Sequence, residues 1–98
     1  MGDGNLDVRV YFQDTDAGGI VFHAAYLNFF ERARTEWLRE IGVTQNILKN
    51  VYDMLIIVRK INVRYLRPGF LDDFLTVRTS LREIGRAQIT VSQTVFRD

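Results

Sequence analysis

The sequence contains no cysteine, and its 98 residues include one histidine, one proline and one tryptophan. Without cysteine the chain can form no disulfide, no thiolate metal site and no cysteine nucleophile. A single histidine likewise excludes a multi-histidine metal site and a two-histidine catalytic device within one chain. Any chemistry must therefore rest on carboxylates, one imidazole, hydroxyl groups and the backbone, and we expect no metal.

The chain also lacks a large excess of charge of either sign, because thirteen Lys and Arg residues and twelve Asp and Glu residues leave a formal charge of +1. No strong field favours binding to nucleic acid or to an anionic membrane. The N-terminal MGDGNLDVRV has no basic region followed by an apolar run, and no apolar stretch reaches about 18 residues. We expect one cytoplasmic domain over residues 1–98, whose 47% hydrophobic content supports a modest core.

The longest helical pattern runs from about Ala24 to Ile41. Its apolar residues recur with the spacing that one face of a helix requires: Tyr26, Phe29, Phe30, Ala33, Trp37, Leu38 and Ile41. Gly42 follows, where a left-handed residue commonly ends a helix. The pattern predicts a long helix with one face that needs a large apolar partner.

Alternation of apolar and polar residues predicts strands on both sides of this helix. The predicted strands are Leu6 to Phe12, Met54 to Leu66, Leu75 to Leu81 and Ala87 to Phe96, with a short helix over Val43 to Asn50 capped by Thr44. One long helix beside antiparallel strands requires a sheet that curls around it, which is an α+β architecture. The segment from Met54 is apolar on both faces at its start, and this favours pairing with a second subunit.

The loop before the helix carries an ordered motif of the form T-D-x-x-G-[IV]-V-x-H-x-x-Y. Its fixed positions are Thr15, Asp16, Gly19, Ile20, Val21, His23 and Tyr26, and the likeness continues through RKINVRYLRPGFLDD. Over most of its length the chain resembles the hotdog-fold acyl-CoA thioesterases of the 4-hydroxybenzoyl-CoA thioesterase type. Within that family it resembles the bacterial subgroup associated with the Tol-Pal cluster.

The resemblance implies a hotdog fold, in which an antiparallel sheet wraps around one long central helix. It also implies an enzyme that hydrolyses acyl-CoA to free acid and CoA without a metal or redox cofactor. The family's catalytic carboxylate falls on Asp16, and the backbone N–H that binds the thioester oxygen falls on His23. Family sites form between two subunits, so the resemblance implies a homodimer or homotetramer. Family members usually run longer and end with another strand inside the sheet, so we expect that strand to be missing here.

The residues of this loop suit such chemistry, because a thioester carbonyl needs a nucleophile or activated water and donors for the oxygen that gains charge. The amides of His23 and Ala24, at the positive end of the helix dipole, could polarise the carbonyl. Gly18 and Gly19 let the loop approach a ligand closely. Asp16 could attack the carbonyl or deprotonate water, and the sequence leaves both routes open. The imidazole of His23 is a further acid/base candidate.

Five other side chains are candidates for substrate binding. Tyr26 belongs to the apolar stripe, although its hydroxyl could line the pocket. Arg59 and Lys60 could meet the phosphates of CoA, as could Arg64 and Arg67, because phosphate favours charge-assisted contacts. The opposite parity of Arg59 and Lys60 on a strand prevents all four from facing one ligand.

A function from another class remains open. A non-catalytic protein could grip an acyl chain carried by CoA or by acyl carrier protein in the same groove, with negligible turnover. A hotdog dehydratase is less attractive, because it would need its own histidine and acidic pair across subunits. Release of free thiol separates hydrolysis from binding.

Overall fold

The computed structural model describes residues 2–97, and it has three strands and two α-helices within that range. The elements in chain order are β1 (Gly4–Arg9), a 3-10 turn (Phe12–Asp14), α1 (Ala25–Arg39), α2 (Gln45–Tyr52), β2 (Phe74–Ile84) and β3 (Ile89–Arg97). The strands form one antiparallel sheet in the order β1-β2-β3, and α1 contacts β1 and β2. The predicted α+β class is confirmed.

The core lies between α1 and the sheet, on the helix face that the apolar stripe predicts. Phe29 of α1 shares this core with Val10 and Val77, and all three are 0% exposed. Trp37 is also buried, and its Nε1–H donates to the carbonyl of Gly2 at 2.9 Å. Full burial of an apolar side chain contributes roughly 1.5–3 kcal/mol. The helix face and the sheet therefore supply each other's apolar partner.

The residues that flank the two helices match the prediction, although the helix boundaries differ by a few residues. α1 ends at Arg39, before the predicted Ile41, which is 52% exposed. Gly42 has a φ of +84°, so the predicted left-handed glycine after the helix is confirmed. Thr44 caps α2 as predicted, because its hydroxyl accepts a hydrogen bond from the Ile47 N–H at 3.2 Å.

The sheet shows the predicted alternation most clearly in β2. Leu75, Val77 and Thr79 lie on its buried face. The hairpin between β2 and β3 turns around Gly85, whose N–H donates to the carbonyl of Gln88 at 2.8 Å.

The predicted strand from Met54 to Leu66 is wrong, because residues 53–69 form neither helix nor strand. Among residues 2–97, no backbone-to-backbone hydrogen bond involves positions 55–68. A strand of β-favouring residues is stable only beside a partner, since the propensity reflects packing and pairing within a sheet. Here β2 pairs with β1 and with β3, and none of these strands pairs with this segment. The long helix is therefore followed by two strands and not three.

We call residues 53–68 the open segment, because its apolar side chains face solvent. Leu55 is 67% exposed, Ile57 78% and Leu66 79%. Neither helix in the described part of the chain is long and apolar enough to cross a membrane. We call β1, the loop before α1, α1, β2 and β3 the packed half. The open segment and the packed half both carry many apolar residues and differ in how far these are buried.

Candidate active site

A cleft of about 560 Å³ opens between the loop before α1, the start of α1 and the end of the open segment. Residues that line it include Asp16, His23, Tyr26, Tyr65, Arg67 and Pro68. Apolar side chains form most of the remaining wall. A largely apolar cleft with a few polar groups is typical of small-molecule sites. The structure thus brings three predicted site residues, Asp16, His23 and Tyr26, to one opening.

Asp16 lies in a tight turn at the edge of this cleft, and its side chain is exposed. Its Oδ1 accepts a hydrogen bond from the Gly18 N–H at 2.8 Å, and its backbone N–H donates to the carbonyl of Ile20 at 2.9 Å. Within residues 2–97, its second oxygen, Oδ2, makes no hydrogen bond. One oxygen therefore braces the turn, and the other is available to a ligand.

The rest of the loop is shaped by its glycines and by a second carboxylate. Gly19 has a φ of +78°, which side chains rarely adopt, and a Cβ on Gly18 would lie 3.3 Å from Asp16 Oδ1. Neither glycine, though predicted to bind substrate, lines the cleft. Asp14 is 6% exposed and its Oδ2 accepts a hydrogen bond from the Tyr11 N–H at 2.8 Å. These contacts fix the loop that carries Asp16.

The start of α1 has backbone amides without partners beside this loop. The Ala25 N–H donates to the carbonyl of Phe22 at 2.9 Å, whereas the amides of His23 and Ala24 donate to no other residue of the described chain. They lie at the positive end of the helix dipole. His23 is exposed and lines the cleft. An oxygen bound there would meet donors that are already held in the fold.

Tyr26 joins the core to the turn that closes the cleft. The residue is 9% exposed, and its ring packs edge-to-face on Phe29 with centroids 6.0 Å apart. Its hydroxyl oxygen accepts a hydrogen bond from the buried Gly69 N–H at 2.9 Å. The Gly69 carbonyl in turn accepts from the Val21 N–H at 2.8 Å. Tyr26 therefore lines the cleft while its hydroxyl oxygen is already engaged.

Tyr65 is a residue of the cleft that the sequence did not single out. Its hydroxyl donates to the carbonyl of His23 at 2.9 Å, and the two rings meet edge-to-face at 6.3 Å. Its ring also lies 5.8 Å from that of Tyr26. In the sequence it is one aromatic residue in an alternating run, 42 positions from His23. No local pattern signals a contact over that separation.

Two basic residues of the open segment, Arg59 and Arg67, lie at different places in the structure. Arg59 donates from Nη1 to Gln88 Oε1 at 2.9 Å, at the hairpin between β2 and β3. Lys60 is exposed, and neither residue lines the cleft. Of the four basic residues considered for CoA, Arg67 alone lines it. The argument from strand parity does not apply, because this segment is not a strand.

An antiparallel sheet packed on one long helix, with a carboxylate loop leading into the helix start, is the arrangement of the hotdog fold. Residues 18–98 match the family model described as Thioesterase superfamily. The chain belongs to the thioesterase superfamily. The family and the hotdog fold that the sequence predicts are thereby confirmed.

Similar proteins come from several bacteria. The acyl-CoA thioesterase YbgC of Haemophilus influenzae is 45% identical over 94 residues, which cover 96% of this chain and 69% of that protein. The acyl-CoA thioester hydrolase YbgC of Escherichia coli O6:H1 is 42% identical, over 90% of this chain and 65% of that protein. A probable thioesterase from Bartonella henselae is 33% identical in sequence, and its crystal structure matches this fold with a TM-score of 0.92. The match covers 98% of this chain and 80% of that one. The chain thus spans about two thirds of the length of these curated relatives.

Proposed function

We propose that this chain hydrolyses acyl-CoA thioesters to a free carboxylic acid and CoA. The observation that carries the proposal is the cleft that Asp16 and His23 both line, at the start of a helix whose first amides have no partner in the described chain. Membership of the thioesterase superfamily supports the same reaction, as do the names of the two YbgC relatives.

Asp16 supplies the carboxylate in either of two routes. As a nucleophile, its Oδ2 attacks the thioester carbon, CoA leaves as the thiolate, and water then hydrolyses the resulting anhydride. As a general base, it takes a proton from a water molecule that attacks the same carbon. In both routes the oxygen that gains negative charge is stabilised by the amides of His23 and Ala24. The imidazole of His23 remains a candidate for proton transfer to the leaving thiolate.

The proposal extends to the setting in which the cleft works. We place the protein in the cytoplasm as a homodimer or homotetramer, with acyl carrier protein as a further candidate partner. The exposed apolar residues of the open segment support self-association, since monomers rarely expose contiguous apolar patches. Arg67 at the cleft supports contact with a CoA phosphate. We also propose that Arg59 and Lys60 bind CoA, at a cleft that they reach when the subunits of the oligomer assemble.

The proposal is tested by comparing the wild type with Asp16→Asn and Asp16→Ala. Asn keeps an oxygen that can accept from the Gly18 N–H but lacks the charge, whereas Ala lacks both. We expect each variant to lose about 10²- to 10⁴-fold in kcat. The free energy of unfolding of Asp16→Asn should change by less than about 0.5 kcal/mol, because the side chain is exposed. Thiol release is measured with a chromogenic thiol reagent on short aliphatic, long aliphatic and aromatic acyl-CoAs.

Asp3→Asn is the matched control, because Asp3 is exposed and its side chain makes no hydrogen bond within residues 2–97. The control should hydrolyse acyl-CoA at the wild-type rate. Equal rates for the wild type and Asp16→Asn would defeat the assignment of Asp16. No thiol release by the wild type on any of the three substrate classes would defeat the hydrolase function itself.

Binding without turnover is the second candidate function. The hydrogen bond from the Gly18 N–H to Asp16 Oδ1 favours it, because a carboxylate that braces a turn needs no catalytic role. Saturable binding of acyl-CoA or of an acylated carrier protein, with no thiol released, would select this function over hydrolysis.

A further inference from the structure

Tyr65 binds the backbone just before the first turn of α1, at the carbonyl of His23. Ala24 is the N-cap of α1, so His23 precedes the helix and its carbonyl has no partner within it. Here the Leu27 N–H donates to the carbonyl of Ala24 at 3.1 Å. The hydroxyl of Tyr65 donates to the His23 carbonyl at 2.9 Å. A side chain from the open segment thus completes the helix start.

This bond fixes more than one carbonyl, because a peptide unit is planar and its C=O and N–H point in opposite directions. The carbonyl of His23 and the N–H of Ala24 belong to one such unit, so holding the carbonyl sets the direction of the N–H. The preceding unit, with the Phe22 carbonyl and the His23 N–H, is held by the Ala25 amide at 2.9 Å. The N–H groups of His23 and Ala24 are therefore both oriented by hydrogen bonds to the carbonyl groups of their own peptide units.

The ring of Tyr65 is held independently of its hydroxyl. It meets the His23 ring at 6.3 Å with an interplanar angle of 84°, and the Tyr26 ring at 5.8 Å and 56°. Aromatic pairs with such spacings are favourable. Tyr26 is itself fixed by its hydrogen bond with Gly69. Replacing Tyr65 by Phe therefore removes the hydroxyl bond and leaves the ring contacts available.

We propose that Tyr65 is a positioning residue for thioester hydrolysis, whose hydroxyl orients the His23–Ala24 peptide so that the Ala24 N–H is ready for the oxygen that gains charge. The inference rests on the proposed function. A hydrogen bond to a carbonyl also polarises the N–H of the same peptide and strengthens it as a donor. An oriented donor stabilises the charged oxygen more than the uncharged thioester, so the effect falls on kcat and not on KM.

The test compares Tyr65→Phe with Tyr52→Phe. Tyr52 lies on α2, is 63% exposed, and its hydroxyl makes no hydrogen bond in the described part of the chain. Because Tyr65 acts through another group, we expect a fall in kcat of about five- to tenfold, smaller than for loss of a whole oxyanion donor. KM and Tm should match the wild type, and Tyr52→Phe should match it throughout. In amide NMR spectra of the ligand-free protein, the Ala24 proton should move upfield in Tyr65→Phe alone.

A lower kcat at constant KM, together with a moved Ala24 resonance, supports the positioning role. An unchanged kcat, or an effect confined to KM, overturns it even where the wild type hydrolyses acyl-CoA. A wild type that releases no thiol defeats the proposed function separately. In that case the Ala24 resonance still decides whether Tyr65 orients this peptide, and an unmoved resonance overturns the inference.

Discussion

The packed half of the molecule and the open segment are both rich in branched and aromatic apolar residues, yet the packed half alone buries them. Phe29 and Val77 are 0% exposed, whereas Ile57 and Leu66 are 78% and 79% exposed. The two regions differ in their partners. β2 pairs with β1 on one side and β3 on the other, while no strand of the described chain pairs with residues 55–68. Apolar side chains favour burial, but a segment rich in them is buried only where a neighbouring strand or helix packs against it.

The cleft lies along the boundary between these two regions. Asp16 and His23 come from the loop and helix start of the packed half, whereas Tyr65 and Arg67 come from the end of the open segment. Within the described chain one hydrogen bond crosses the boundary here, from Tyr65 to His23, and Gly69, the residue after the open segment, is bonded to both Tyr26 and Val21. The carboxylate and the His23 amide are thus held by the packed half, whereas the Ala24 amide is held through Tyr65 of the open segment.

The largest difference between the regions should appear when a large apolar side chain is removed from each. We expect Phe29→Ala to lower the free energy of unfolding by about 3–5 kcal/mol, because it leaves a cavity in the core. In the separate chain Ile57→Ala should change it by less than about 0.5 kcal/mol, because Ile57 is 78% exposed there. Urea unfolding of both variants measures the contrast. A comparable loss in Ile57→Ala would mean that the open segment is covered in solution, as in an oligomer.

A smaller effect should follow from cutting the bond that ties Gly69, the residue after the open segment, to Tyr26. Tyr26→Phe leaves the buried Gly69 N–H without an acceptor, and we expect a loss of about 1–3 kcal/mol in the free energy of unfolding. Tyr11→Phe is the control, since Tyr11 is 59% exposed and its hydroxyl makes no hydrogen bond within residues 2–97. Urea unfolding should leave the control near the wild type. If Tyr26→Phe were as mild as Tyr11→Phe, the boundary would be held by other contacts.

The parts of the fold that follow from neighbouring residues could be predicted from the sequence. The stripe around Phe29 predicts α1 because helical periodicity is local, and Gly42 and Thr44 mark helix ends through their own backbone and hydroxyl. The predicted strand from Met54 to Leu66 failed because a strand also needs a partner, which no local pattern supplies.

The same division applies to the candidate site. The motif located Asp16 and His23, which lie close in sequence and share the cleft. It could not locate Tyr65, whose contact with His23 arises from the path of the chain through the open segment. It also could not separate Arg67, at the cleft, from Arg59, at the hairpin, because the sequence marks both only as basic residues near one another. Site residues close together in the sequence could be predicted, and contacts between residues far apart in the sequence could not.

The smallest predicted effect concerns Asp73, which ties the chain beyond the open segment to the packed sheet. The Phe70 N–H and, less strongly, the Arg97 guanidinium hold the pKa of Asp73 below its ordinary value of 3.8, while partial burial acts in the opposite direction. A lowered pKa in the folded state adds stability that is fully present above the unfolded value and is lost as pH falls through the folded value. Asp73→Asn should therefore cost no more than about 1 kcal/mol at neutral pH, and its difference from the wild type should shrink below pH 3.8. Urea midpoints measured from neutral pH to below pH 3.8 check this prediction, with Asp3→Asn as the control. A difference between Asp73→Asn and the wild type that stays constant on acidification would show that the carboxylate charge of Asp73 does not stabilise this junction.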